Sequence, residues 1–236
     1  MSAPIHISVK SLSELALPSF CPRCFWLKTH VSKLPFQIFP GIFTSIDSYT
    51  KRVVHGWLDA NRTTPPWLGS LGEVVSYKPP PHYTQFNILD SKTNILLRGM
   101  PDGILLRSDG SHLIVDYKTA KFSGTQDALF PMYTAQLNAY GLIGEQCGFA
   151  PFSGLALIYM EPVTDSNAAS QPSNQRQAGF AMGFEAYVLP VSLDFALIPP
   201  LLEQVRAISD LPQAPPGLES CQDCRLVAEL LAAATS

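Results

Sequence analysis

Apolar side chains recur every three or four positions between residues 43 and 62, at Ile46, Tyr49, Val53, Val54, Trp57 and Leu58. This is the period of a helix with one buried face, and Thr44 or Ser45 stands where a cap is needed. The TTPPWLG run then breaks it. Further along the period shortens to two. In HLIVDYK, Leu113, Val115 and Tyr117 alternate with Ile114, Asp116 and Lys118, so the two sets occupy opposite faces of a strand. Strands are predicted at 72–78, near 83–89, and at 94–100, 103–107 and 112–118, joined by turn residues that suggest an antiparallel meander. A helix is predicted over 131–146, with Pro131 in its first turn. Strands at 153–162 and 179–191 flank a polar loop, 163–178, expected to be mobile. A short helix over 9–20 leads into CPRC and a Pro/Phe-rich loop, and a last helix spans Leu193 to Asp210, perturbed by Pro199 and Pro200. The order of elements predicts an α/β or α+β layout around one central sheet, with no internal repeat.

The length of 236 residues predicts one domain over 1–236, with a core at about 43–191 and terminal segments 1–42 and 192–236 forming a helical cap. No apolar run reaches the ~20 residues that cross a bilayer, and MSAPIHISVK lacks the apolar region of a signal peptide. The expectation is a cytoplasmic protein without a membrane partner. The net charge of −3 and a pI near 5.9 exclude the general attraction for nucleic acid that a basic domain exerts. Any nucleic acid must be held locally, through metal, or by a partner.

The candidate chemistry lies in RGMPDGILLRSDGSHLIVDYKTAK, residues 98–121. Carboxylates are poor strand formers and costly to bury unpaired. A two-residue turn at Asp109-Gly110 would set Asp102 across from Tyr117, on the wrong face. A three-residue loop 108–110, with Gly110 left-handed, would set Asp102 opposite Asp116, and a bulge at Met100-Pro101 would have the same effect. Two facing carboxylates beside an ammonium suit Mg²⁺, which takes one or two carboxylates with waters and substrate phosphates. The alternative is a surface ion pair between Asp116 and Lys118 with Asp102 a turn residue.

Four of the five cysteines form two C-x-x-C pairs near the chain's ends, Cys21/Cys24 and Cys221/Cys224. In a cytosolic protein such pairs point to metal before disulfide, and four thiolates suit tetrahedral Zn²⁺ or an iron-sulfur cluster. Either would clamp the N- and C-terminal segments together. Cys147 stands alone and is read as an unliganded core residue.

Pro101-Asp102 followed by Asp116-Tyr117-Lys118 resembles the core of the PD-(D/E)XK nuclease superfamily. His55-Gly56 on an early helix, and Gln136 with Tyr140 as Q-x-x-x-Y on the helix after the D-x-K strand, resemble its RecB-like branch. The likeness covers roughly residues 43–146. SFCPRCFWLK is similar to the N-terminal region of the cysteine-cluster CRISPR adaptation nucleases, which typically offer one N-terminal and three C-terminal cysteines where this chain has two and two. The resemblance implies a restriction-endonuclease-like central mixed sheet flanked by helices. It implies that Asp102 and Asp116 ligate Mg²⁺ or Mn²⁺, with the Tyr117 carbonyl and His55 as further ligands. Lys118 would hold the attacking water, and Gln136 and Tyr140 would support the site or the substrate. Glu73 resembles an acidic position of some members. The implied function is a metal-dependent deoxyribonuclease acting on single-stranded DNA or DNA ends in repair, recombination or defence, with a helicase or other repair or defence protein as an expected partner. Two other readings stay open: a non-catalytic nucleic-acid-binding scaffold subunit, and a cysteine site that acts as a redox sensor.

Overall fold

The computed structural model describes residues 3–31, 41–122, 124 and 128–235. The Pro/Phe-rich loop expected after the first cysteine pair falls largely on 32–40, outside the described residues. The chain begins with β1 (Ile5–Ser8) and α1 (Val9–Ser13), followed by α2 (Pro22–His30) and α3 (Gly41–Asn61). Then come β2 (Val74–Lys78), β3 (Asn87–Asp90), β4 (Ile95–Arg98), β5 (Gly103–Arg107) and β6 (His112–Lys118). The helix α4 (Phe130–Gln146) leads to β7 (Phe152–Pro162). The expected loop after β7 carries α5 (Ser166–Ser170) and a small hairpin, β8 (Gln175–Arg176) with β9 (Gly179–Phe180). β10 (Phe184–Val191), α6 (Ile198–Ser209) and α7 (Gln222–Thr235) complete the order. Pro199 and Pro200 lie in the first turn of α6, where a missing N–H costs no helical hydrogen bond, so they start the helix rather than perturb it. No helix among the described residues is long and apolar enough to cross a membrane.

The main sheet has five strands in the order β10-β7-β6-β5-β2, with β6 and β7 parallel and the other neighbours antiparallel. It is therefore a mixed sheet flanked by helices. The expected meander is split: β5 and β6 form a hairpin, but β4 joins β3 and β1 in a second sheet of three strands. Pro101, which has no N–H to continue a ladder, stands between the two sheets.

The period of two along β6 sorts the core. Ile114 joins Leu155, Leu157 and Tyr159 of β7 against Leu137, Tyr140 and Ile143 of α4. On the opposite face, Leu113, Val115 and Tyr117 pack with Ala156 and Ile158 against Val54 and Leu58 of α3. Asp116 and Lys118 thus fall on the α4 face, at the end of the strand where the apolar pattern gives out. The apolar stripe of α3 is only half used: Val54 and Leu58 are buried, whereas Tyr49, Val53 and Trp57 are exposed.

Candidate functional site

The turn between β5 and β6 decides which residues meet. The Arg107 N–H donates to the Ser111 carbonyl (2.9 Å) and the Gly110 N–H to the Arg107 carbonyl (3.0 Å), while Gly110 has φ +83°. Only glycine holds that left-handed conformation without strain, and a side-chain hydrogen bond from Ser111 N–H to Asp109 Oδ1 (2.9 Å) braces the turn. The result is a three-residue loop, with Gly103 paired to Val115 and Ile104 to Ile114. One position further, Asp102 lies across from Asp116, and its Oδ2 accepts from the Tyr117 N–H at 3.0 Å.

Asp116 is 3% exposed and ion-paired with the Lys118 ammonium, which sits 4.2 Å above the Tyr133 ring. Gln136 Nε2 donates to Asp116 Oδ1 and to the Tyr140 hydroxyl, each at 3.3 Å. These two α4 residues are one helical turn apart, so the Q-x-x-x-Y spacing sets Gln136 between the Asp116 carboxylate and the Tyr140 hydroxyl. Burial, then repulsion from Asp102, push Asp116 up to about 6, with Lys118 pulling the other way. The pair thus favours any added cation. A cleft of about 350 Å³ opens over it, lined also by Asp47 and Tyr133.

The sequence reading missed Asp47 and Lys51. Lys51 Nζ is 2.8 Å from Asp102 Oδ1 and 2.9 Å from Asp47 Oδ2. Burial disfavours its charge, but Asp102 and Asp47 outweigh that cost and hold its pKa above the ordinary lysine value. The signal was present in the four-residue spacing of Asp47, Lys51 and His55 along one face of α3.

His55 is not brought to the carboxylates. Its ring stacks on Tyr77 at 3.8 Å, with planes 2° apart, and burial holds its pKa below the ordinary histidine value. Lys51, one turn earlier, is the α3 side chain that reaches Asp102. Among the described residues, no three His, Cys, Asp or Glu ligand atoms converge here as they do at the cysteines. Glu73 also lies elsewhere: its Oε2 accepts from Ser108 Oγ (2.7 Å) at the turn, the far end of the hairpin from Asp102.

The second site joins α2 to α7. Cys21 and Cys221 each immediately precede one of these helices, and Cys24 and Cys224 lie in the first turns. The four Sγ atoms lie within 4.8 Å of one another, with Cys21–Cys224 and Cys24–Cys224 at 3.5 Å and Cys24–Cys221 at 3.6 Å. All are free thiols, and the four together can hold a metal. Burial pushes the Cys21 thiol up, but hydrogen bonds from backbone N–H groups and neighbouring thiols bring it down to about 6. Burial and the crowding of its neighbours push Cys24 up. Gly217, another residue the sequence reading missed, makes this approach possible: a Cβ there would sit 2.6 Å from Cys224 Sγ. Cys147 stays apart, its thiol donating to the Gln85 carbonyl at 3.6 Å.

No family model matches the chain. No curated protein matches it either. Among solved structures it is similar to one described as the crystal structure of SSO0001, with 14% identity over 90% of this chain and 80% of that one and a TM-score of 0.43.

Proposed function

We propose that the chain is a metal-dependent PD-(D/E)XK nuclease of the RecB-like type, with a restriction-endonuclease-like core, that hydrolyses phosphodiester bonds in single-stranded DNA or at DNA ends. One observation carries this reading. Asp102 and Asp116 face each other across the β5–β6 hairpin, Lys118 stands beside them, and Gln136 and Tyr140 complete the row from α4. The donor set fits a hard divalent cation: two carboxylates and the Tyr117 carbonyl are oxygen ligands, and the buried Asp116, repelled by the half-buried Asp102, gains from a positive charge placed between them. Mg²⁺ or Mn²⁺ there would supply Lewis acidity toward the phosphate and toward an attacking water. Asp102 and Asp116 would hold the ion, Gln136 fixes the orientation of the Asp116 carboxylate, and Lys118 would orient the water and stabilise the developing negative charge. His55, the further ligand that the resemblance implies, stands one helical turn beyond Lys51 and stacks on Tyr77. DNA cleavage that needs Mg²⁺ or Mn²⁺, stops in EDTA and is lost in Asp116→Ala is the test.

The scaffold reading has one observation in its favour. Lys51 and Lys118 already give each carboxylate a partner, so the acids are compensated within the chain. A protein that binds DNA equally well with or without Asp116 and never cleaves it would move that reading ahead.

At the cysteines the distances favour one ion over a cluster. Tetrahedral Zn²⁺ with Zn–S bonds of ~2.3 Å sets its sulfurs about 3.8 Å apart; here three pairs lie at 3.5–3.6 Å and all four sulfurs within 4.8 Å of one another. A cubane interposes its own irons and sulfides and spreads the thiolates further. The ion fastens α2 to α7 and so ties the two ends of the chain together. Metal analysis of the purified chain should find zinc and no acid-labile sulfide. Iron with sulfide and a broad absorbance near ~400 nm would point to the cluster instead.

A further inference from the structure

A second cleft, of about 390 Å³, adjoins the acidic one, and Lys10 lines both. Its other walls include Tyr83, Arg98, Gly99, Met100 and Tyr140. The parallel pairing of β1 with β4 sets Ser8 beside Arg98 and so brings Lys10, at the start of α1, to the same place. Gly99 is needed there because a Cβ would lie 2.5 Å from Tyr140 Cε1. The Tyr140 hydroxyl is linked through Gln136 to Asp116, so the cleft floor is continuous with the acidic pair.

The charges in this cleft are free. Lys10 is exposed, and neither it nor Arg98 forms an ion pair among the described residues. Arg98 lies 5.5 Å from the centre of the Tyr83 ring, a contact that orients a guanidinium without neutralising it. In a chain with 19 acids and 16 Lys and Arg, two cations that line one cleft and form no ion pair among the described residues are available to an anion. Tyr83 is 43% and Met100 51% exposed, which leaves flat apolar surface beside the charges. Cations beside an exposed ring are what a single nucleic-acid strand meets on its binding proteins. The volume is that of a small-molecule pocket, ~300–1,000 Å³, and has no room for a duplex.

We propose that this cleft is the entry track for a single nucleic-acid strand, in which Lys10 and Arg98 contact phosphates and Tyr83 stacks on a base, leading the backbone to Asp102 and Asp116. The assignment rests on the nuclease reading for its direction, but its binding test does not depend on cleavage.

The test is fluorescence anisotropy of the full chain with a fluorescein-labelled oligothymidylate in EDTA, where nothing is cut, at several salt concentrations. Thermal melts confirm that each variant is folded. Lys10→Ala and Arg98→Ala should each weaken binding at least fivefold and each reduce the slope of log K against log salt by about 0.7. Tyr83→Ala should weaken binding at least fivefold with the slope unchanged. Asp116→Asn should bind as well as wild type or better. The track is overturned if the wild type does not bind the strand, if the cleft variants bind like wild type, or if Arg176→Ala on β8 loses as much as they do. Track-dependent binding by a protein that cuts nothing would keep this inference and sink the nuclease reading, while cleavage unaffected by Lys10→Ala and Arg98→Ala would do the reverse.

Discussion

Lys51 decides whether the acidic pair is built for a cation from outside the chain. Lys51→Met keeps the length of the side chain and removes the ammonium that lies within 3 Å of both Asp102 and Asp47. Opposite charges at such separations attract by ~6 kcal/mol each at an effective dielectric of 20. The Lys51 side chain is 24% exposed, so solvent screens part of this, and the unfolded chain regains hydration. The net loss should be about 2 kcal/mol, between the near-zero value of an exposed pair and the 3–5 kcal/mol of breaking a buried one. For a chain of 236 residues this lowers Tm by about 4–8 °C in EDTA. A divalent ion between Asp102 and Asp116 competes with that ammonium, so the variant should bind Mn²⁺ about tenfold more tightly, a gain of ~1.4 kcal/mol. At 100 times its Kd the ion returns about 2.7 kcal/mol. The variant should therefore be less stable than wild type in EDTA and close to it in saturating Mn²⁺. Melting curves in the two conditions, with calorimetric titration of Mn²⁺, read both numbers. A deficit that Mn²⁺ leaves unchanged, or a wild type whose Tm ignores Mn²⁺, would make these carboxylates structural acids satisfied by lysines.

Other outcomes follow from the same contacts. In the metal-free protein Asp116 is raised from the ordinary 3.8 to about 6, so the folded chain holds a proton that the unfolded chain gives up. The stability this carboxyl contributes is full below pH ~4 and is lost as pH rises through about 6, about 3 kcal/mol in all. The difference in stability between wild type and Asp116→Asn in EDTA should fall by that order across the window, and a flat difference would contradict it. Mn²⁺ affinity should run the other way and weaken as pH drops below about 6. Gly99→Ala should cost about 1–3 kcal/mol in urea unfolding, because its Cβ must push Tyr140 or Val9 aside. Gly217→Ala should displace Cys224 and speed the loss of metal from the four thiols to a chelator, while unchanged release would mean that the loop yields instead.

What could be read in the sequence was local. The alternation in HLIVDYK gave the two faces of β6, and the glycine at position 110 made the three-residue loop available, though only the folded turn shows which register is used. The C-x-x-C pairs announced a four-thiol site from spacing alone, but not that both sit at helix N-termini or that Gly217 makes room for one sulfur. The helical period of α3 was legible, but its rotation was not. Rotation depends on which half of a broad apolar stripe meets the sheet, and the sheet chose Val54 and Leu58 over Tyr49 and Trp57. That choice turned Lys51 toward Asp102 and left His55 on Tyr77. β1 was invisible because IHIS is short and its partner strand is distant in the chain and parallel, a pairing that no local pattern encodes. Lys10 and Arg98 were hidden for the same reason.

The most direct measurement of the central claim is cleavage of end-labelled single-stranded and duplex DNA by wild type, Asp116→Asn and Lys118→Ala, with Mg²⁺, with Mn²⁺ and in EDTA. A metal-dependent nuclease should cut in wild type, favouring the single strand or duplex ends, with a fall of at least ~10²-fold in each variant and binding retained. Cutting that survives in both variants, or a folded, metal-bound wild type that binds DNA and cuts none of it, would rule out catalysis at Asp116 and Lys118.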